Sequence, residues 1–472
     1  MAGLGVFLVG AAAIAVLTLA LRGLPDALFS WEAAPLAITG FLLTVFLCVA
    51  IAGRSAEANS FRGVAFTLWW FLLGSQVFFL RFGTSESAYL EQFSFEAYAE
   101  LIFWVALCLG LLIATIRNPR FLKNMFVGPY KWLTFYGLVC LGSVVLSPRP
   151  AFSLAWAFKL AVGILILNLI ASLIATPYDL RAFLNVTFWG FAFLTFAPIL
   201  QTLSDPATAF ENGRLGGSVV PDAQSALAGT FLLLVLTFYA IRPRRWLFFV
   251  GGLAVVAMLL PGGKAAIAAA ILAGFLFYFL QRRFGAVAGI GVAFSSIAIL
   301  LFLFTPLGSY VRFYASSGQA ASFSGRTGLW DAAVPAIRQK VLLGHGFVAS
   351  KFVSQRLEGL PFQAGHLHNG ILETAYNNGL VGLLLMVAIN FTIVRALIRV
   401  LRRHPVSSAF YQLAAGGLAV YVNLLVNALF NASFGGRVLA PFLMLMALLF
   451  YSERLATFSE RQLELPDHAA QD

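Results

Sequence analysis

The sequence predicts an all-α fold, a polytopic membrane helix bundle of about 12–14 transmembrane helices. Three observations predict it. Only 11% of the residues are charged and 60% are hydrophobic, whereas an average soluble domain carries roughly 25% charged residues. Apolar runs of about 20 residues, the length needed to cross a bilayer, recur along the chain. The basic residues gather in the short segments between those runs. A net charge of +12 and a pI near 9.9 would suggest nucleic acid for a soluble protein. Lys and Arg confined to short loops act instead as topology signals and lipid-phosphate contacts, so no nucleic-acid partner is expected and membrane lipids are.

Candidate spans fall at about 3–21, 33–52, 63–82, 98–116, 130–147, 152–175, 182–204, 222–241, 246–260, 264–280, 286–305, 371–394, 409–431 and 438–451. The first could be taken for a signal peptide. It lacks a basic leading region and its apolar run is long, so it reads as a span. The runs at 246–260 and 438–451 are short for a full crossing. Cys48, Cys108 and Cys140 lie inside apolar runs without metal-ligand spacing and read as small buried hydrophobes. The whole of residues 1–472 reads as one integral membrane domain.

Orientation follows from charge. With the N-terminus inside, the inside loops and the tail carry 18 Lys and Arg, and the short outside loops carry 6. The inside loops include 176–181 and 395–408. Such a bias fixes topology. It places one long segment, about 306–370, outside. Loops of that length are usually functional or disordered. This one reads as ordered, because Trp330, Ala333, Val334, Ile337 and Val341 recur at helical spacing. They predict an amphipathic helix lying on the bundle, kinked at Pro335.

The outside face also collects polar residues that are unusual in so apolar a chain. Arg214 opens RLGGSVVPDAQSALAG, Lys264 lies in PGGKAAIAAAIL, and Arg326 opens RTGLWDAAVPAIRQKVLLGHG. His366 and His368 lie in HLHNGILETAYNNGLVG at the entry to the twelfth span. Charges at the membrane edge are costly and usually functional. Gly262–Gly263–Lys264 is not a phosphate loop, since position 258 is Met and Ala265 stands where Ser or Thr is needed. No DxD, HExxH or Gly-x-Ser-x-Gly pattern occurs, so no metal and no hydrolase elbow is expected.

The residues His368–Asn369, then Gly379 and Gly382, fit the pattern H-N-x9-G-x-x-G. That pattern resembles the outside signature of the bacterial O-antigen ligases and, more loosely, of the related polysaccharide polymerases. The Arg326–Trp330 segment with its Gly344-x-Gly346 end resembles a second family segment. The Arg214 loop resembles a third. PGGKAAIAAAIL resembles a segment in which many members have Ser-Arg, and this chain has Gly263–Lys264 there. The resemblance spans about residues 212–385. It implies a site facing the periplasm from the bacterial inner membrane and an undecaprenyl-pyrophosphate-linked glycan donor. It further implies an acceptor that is a glycan or lipid A core, an inverting transfer, and neither metal nor cofactor.

Elementary chemistry agrees with that implication. A pyrophosphate leaving group needs positive charge where negative charge develops, and arginine forks match phosphate oxygens. Arg214, Arg326 and Lys264 are therefore the candidate donor-binding residues. A hydroxyl acceptor needs a base that titrates near working pH, and His368 is the candidate. His366 reads as its supporting neighbour. Asn369 can orient His368 or cap the span, and Trp330 can stack a sugar or pack a helix face. Three functions compete. The first is a ligase that attaches glycan to lipid A core, and the second is a polymerase using the same donor. The third is a transporter or lipid-linked glycan flippase. The two halves of the chain show no matching Gly/Pro-interrupted spans of the kind transporter repeats carry.

Overall fold

The computed structural model describes residues 124–203, 210–211, 214–215, 221–285, 289, 326–355, 366–431 and 440–458, with scattered positions between 63 and 122. The expected spans at 3–21 and 33–52, nearly all of 286–305, and most of 63–82 and 98–116 lie outside the described residues.

The rest form a helical bundle. In chain order its helices are α1 (Tyr130–Gly142, continued by a 3-10 turn at Ser143–Leu146), α2 (Pro150–Leu173) and α3 (Pro177–Leu203). A two-residue antiparallel pair follows, β1 (Phe210–Glu211) with β2 (Arg214–Leu215). Then come α4 (Pro221–Ile241), α5 (Arg245–Leu259), α6 (Lys264–Leu280), α7 (Arg326–Gln339), a 3-10 turn at Ala349–Gln355, α8 (Gly370–Arg403), α9 (Ala409–Phe430) and α10 (Ala440–Thr457). Five of these are long and apolar enough to cross a membrane: α2, α3, α4, α8 and α9.

The helix starts follow from local chemistry. Proline opens α2, α3 and α4, where its missing N–H has no partner to lose. Asp179 accepts from the amides of Ala175 and Thr176 at 3.0 and 2.9 Å and so closes the turn into α3. Ser408 caps α9 by accepting from Phe410 N at 3.1 Å.

Inside the bundle, polar side chains bond to their own helices. Thr187, Thr230 and Thr237 donate to the carbonyls of Phe183, Ala226 and Leu233, four residues back. In an apolar medium that removes the cost of an exposed hydroxyl. Small residues let helices close up: Gly229 of α4 faces Ala270 of α6, and Gly416 of α9 faces Thr237 of α4. Such residues suit membrane helix packing.

Two expectations need correction. Residues 395–403 are the last turns of α8 rather than loop. Arg402 and Arg403 there complement the negative end of the helix dipole, and the true connection to α9 is 404–408. Residues 177–181 likewise already belong to α3. The second correction concerns α7. It forms and runs through Pro335, but the face it buries is Leu329, Ala333 and Ala336, while Val334 and Val341 are exposed. The expected stripe was turned by about one position, because α7 packs onto Leu367 and Tyr376 beside it rather than only downward on the bundle.

Candidate functional site

Three structures meet at one end of the bundle: a broken helix, a histidine loop, and a cluster of helix ends around Arg326.

The broken helix is α8. At 34 residues it would be about 50 Å long if straight, well beyond a hydrocarbon core of about 30 Å. It is interrupted at Gly379, whose φ of +61° and ψ of −158° are open in practice only to glycine. An interrupted helix leaves backbone groups unpaired, and the segment after α7 pairs them. His345 N and Gly346 N donate to Tyr376 O and Asn377 O at 2.8 and 2.9 Å. Leu380 N and Val381 N donate to Val341 O and Leu342 O at 2.7 and 3.3 Å.

Close approach demands small residues on both sides. A Cβ on Gly344 would stand 2.6 Å from the Asn377 carbonyl, and one on Gly346 would strike the backbone of Ser147. Gly344 of the Gly-x-Gly segment and Gly379 of the Gly-x-x-Gly segment are thus the two halves of one interlock, while Gly382 makes room for the Asn378 side chain. Asn377 reinforces it by accepting from Ser350 N at 2.7 Å. So does His345, buried and stacked on Tyr376 at 4.5 Å, with Nε2 2.8 Å from Ala336 O.

The histidine loop stands at the other end of the same helical segment. Asn369 caps α8, its Oδ1 accepting from Ile371 N and Leu372 N at 3.0 and 3.1 Å. Of the two readings of Asn369, the cap is the one the geometry displays. His368, just before it, adopts a left-handed φ of +50°, uncommon for a residue with a side chain. Its amide lies 3.3 Å from His366 Nδ1, and the two rings are 3.8 Å apart. Both histidines are half-buried. Trp330 Nε1 donates to Leu367 O at 2.9 Å, which ties α7 to this loop.

The helix ends are those of α4, α6, α7 and α9. Arg326 opens α7, and its Nη1 donates to Phe430 O, the last carbonyl of α9, at 2.6 Å. Its Nη2 is 3.6 Å from Asp222 Oδ2 in the first turn of α4. The guanidinium is 17% exposed and the carboxylate 32%, so both are reachable by a ligand. Gly263 packs so closely on α4 that a Cβ there would meet Ser225 at 2.8 Å and Asp222 Cα at 3.1 Å. Ser225 Oγ fastens the turn, accepting from Gly263 N at 3.0 Å and donating to Met258 O at 2.9 Å. Lys264 follows as the exposed first residue of α6. The N-termini of α4, α6 and α7 therefore gather at one place, with Arg326 paired to Asp222 and Lys264 at the exposed start of α6, and helix N-termini and cations favour anions. Trp330 lies one helical turn beyond Arg326, about 6 Å along the axis, and so connects this cluster to the histidine loop.

The structure thus brings Arg326, Lys264, Trp330, His366, His368 and Asn369 to one end of the bundle. Arg214 is placed by its backbone alone, in β2 opposite Glu211. Asp222, Glu373 and His345 were not singled out from the sequence. Asp222 was in plain view inside the Arg214 segment, two residues into a helix opened by proline. His345 offered only a lone polar residue, and Glu373 only an acidic residue in the first turn of a helix. Among the described residues no group of three or more His, Cys, Asp or Glu could hold a metal ion.

Residues 250–387 match the family model described as O-antigen ligase. That stretch contains Lys264, Arg326, Trp330, the histidine loop and the Gly379 break, and it excludes Arg214 and Asp222. No curated protein matches the chain significantly.

Proposed function

We propose that the chain, whose residues 250–387 match the O-antigen ligase family model, is an O-antigen ligase. In this reading it transfers glycan from undecaprenyl pyrophosphate to a hydroxyl of the lipid A core, at the periplasmic face of the bacterial inner membrane. The observation that carries the reading is the joining of an anion-favouring cluster, Arg326 and Lys264 amid helix N-termini, to a two-histidine loop through the Trp330–Leu367 bond.

Each residue then has a task. Arg326, Lys264 and Arg214 hold the pyrophosphate. His368, neutral, takes the proton of the acceptor hydroxyl as that oxygen attacks the anomeric carbon. The anomeric C–O bond to phosphate breaks on the opposite face, and undecaprenyl pyrophosphate leaves with the electron pair. The configuration inverts. Charge grows on the leaving oxygens, where the guanidinium and ammonium stabilise it more in the transition state than in the ground state. A sugar already activated by pyrophosphate needs no second carboxylate as leaving-group acid, unlike the two-carboxylate hydrolases.

His368→Ala tests the reading. General-base catalysis contributes ~10²–10⁴-fold, so the variant should fold, bind a lipid-linked glycan and transfer it slower by that factor. His366→Ala should be milder. A folded His368→Ala protein that transfers at near wild-type rate would return His368 to an interfacial role. In cells lacking the gene, long glycan chains left on the lipid carrier mark a ligase, and single repeat units already attached to core mark a polymerase.

A further inference from the structure

The histidine loop is held in a way that its sequence does not explain. Leu367, the residue between the two histidines, is fully buried, and both of its backbone groups are bonded to side chains from outside the loop. Its carbonyl accepts from Trp330 Nε1 at 2.9 Å. Its amide lies 3.2 Å from Glu373 Oε1. Glu373 sits in the first turn of α8 and is only 1% exposed. A glutamate that deep is rare without a specific task. The two peptide units that flank Leu367 are therefore each held by one side chain, immediately before the residue whose φ is +50°. The Asn369 cap fixes the backbone immediately after it.

We propose that Glu373 and Trp330 are positioning residues that clamp Leu367 and so set the direction in which His368 presents its ring. The proposal rests on the reading of His368 as the base. A left-handed conformation is disfavoured for histidine and persists only where its surroundings over-determine it. Release of either end of the clamp lets the 367–368 backbone relax to an ordinary φ, which swings the imidazole away from the acceptor. Misplacement by about 1 Å is enough to cost a reaction on the order of 100-fold. Glu373 acts here through the oxygen that accepts from Leu367 N, not by contact with substrate.

The test uses the purified full chain with a synthetic undecaprenyl-pyrophosphate-linked oligosaccharide and a lipid A core acceptor. The variants are Glu373→Ala, Glu373→Gln and Trp330→Phe, with His368→Ala as reference. Glutamine keeps an oxygen for the Leu367 amide, and phenylalanine keeps a ring while removing the indole N–H. The expected result is a kcat lowered ~10–100-fold in Glu373→Ala and in Trp330→Phe, with donor KM changed by less than about two-fold. Glu373→Gln should recover most of the rate. Thermal midpoints identify any variant that fails to fold, and Trp330→Phe tests the clamp independently of the buried carboxylate. If His368→Ala is slow while Glu373→Ala and Trp330→Phe turn over like wild type, the clamp is overturned and the base stands. If Glu373→Gln is as slow as Glu373→Ala, the positioning bond is overturned. If His368→Ala is itself unimpaired, the reading of the base fails first.

Discussion

Gly379→Ala is the substitution whose effect the structure defines best. The residue holds φ +61° and ψ −158°, a region essentially reserved for glycine, and a side chain there costs ~1–3 kcal/mol in backbone strain. The added Cβ would also press on the Leu342 carbonyl and stand 2.7 Å from Gly344 N. Overpacking of this kind costs another ~1–3 kcal/mol. The chain can instead withdraw the 341–346 segment, but that forfeits four backbone hydrogen bonds between 2.7 and 3.3 Å, each worth ~0.5–1.5 kcal/mol. Either route leads to a destabilisation of about 2–6 kcal/mol. The assay is the thermal midpoint of the purified chain in one detergent, read by tryptophan fluorescence and by monodisperse elution. For so long a chain the shift is on the order of 1–2 °C per kcal/mol, so a loss of several degrees is expected, together with loss of transfer. Gly274→Ala in α6 is the internal control, because nothing lies within 4 Å of its added Cβ. It should be neutral, or stabilising by up to ~1 kcal/mol. If Gly379→Ala melts with Gly274→Ala, the interlock does not hold the break.

Three further predictions follow from the helix-end cluster and from charge. Arg326→Lys should lose most transfer activity, because one ammonium cannot both reach the Phe430 carbonyl, 2.6 Å from Nη1, and present a fork to phosphate; retention of near wild-type kcat/KM refutes that role. Asp222→Asn should change stability by less than ~1 kcal/mol, as expected for a partly exposed pair at 3.6 Å, and should lower the donor KM several-fold by removing a carboxylate from an anion site. A raised KM would show instead that Asp222 orients Arg326 for the donor. Single cysteines at Ser317 and Ser407 in a cysteine-free background should label from opposite sides of the membrane, and labelling from one side defeats the assigned topology.

The helices were legible in the sequence because a bilayer forces long apolar runs, and α2, α4 and α9 begin or end within a few residues of the expected bounds. The far end of α8 was not legible. Arg395, Arg399, Arg402 and Arg403 read as a loop by charge, yet a helix leaving the membrane keeps its backbone bonds and merely carries its charges into water. The buried side of α7 was misjudged for a related reason. Periodicity finds an apolar stripe but does not say which neighbour it meets, and Leu329 is buried in a cluster with Ala349, Val353, Leu367 and Tyr376. Candidate site residues with a charge or an imidazole stood out against an apolar background. Glu373 also carries a charge but sits in the first turn of a helix, where an acidic residue has an ordinary explanation as a dipole partner. Its burial and its bond to Leu367 distinguish it.

The spacing of the H-N-x9-G-x-x-G pattern acquires a physical meaning in this arrangement. Asn369 starts a helical segment and Gly379 ends it, so the nine residues between them are about two and a half turns, or some 14 Å. Both ends of that segment are fastened to one other piece of chain. Trp330 holds the start through Leu367, and Val341 and Leu342 hold the end through Leu380 and Val381. From Trp330 to Val341 is a comparable length of mostly helical chain, about 16 Å. The two segments therefore act as matched struts. A residue added to or removed from either would turn one end by about 100° relative to the other, and the clamp and the interlock could not both close. The interval in the sequence is thus set by the need to place the histidine loop at one fixed height and angle above the break, with Arg326 one turn before Trp330 on α7.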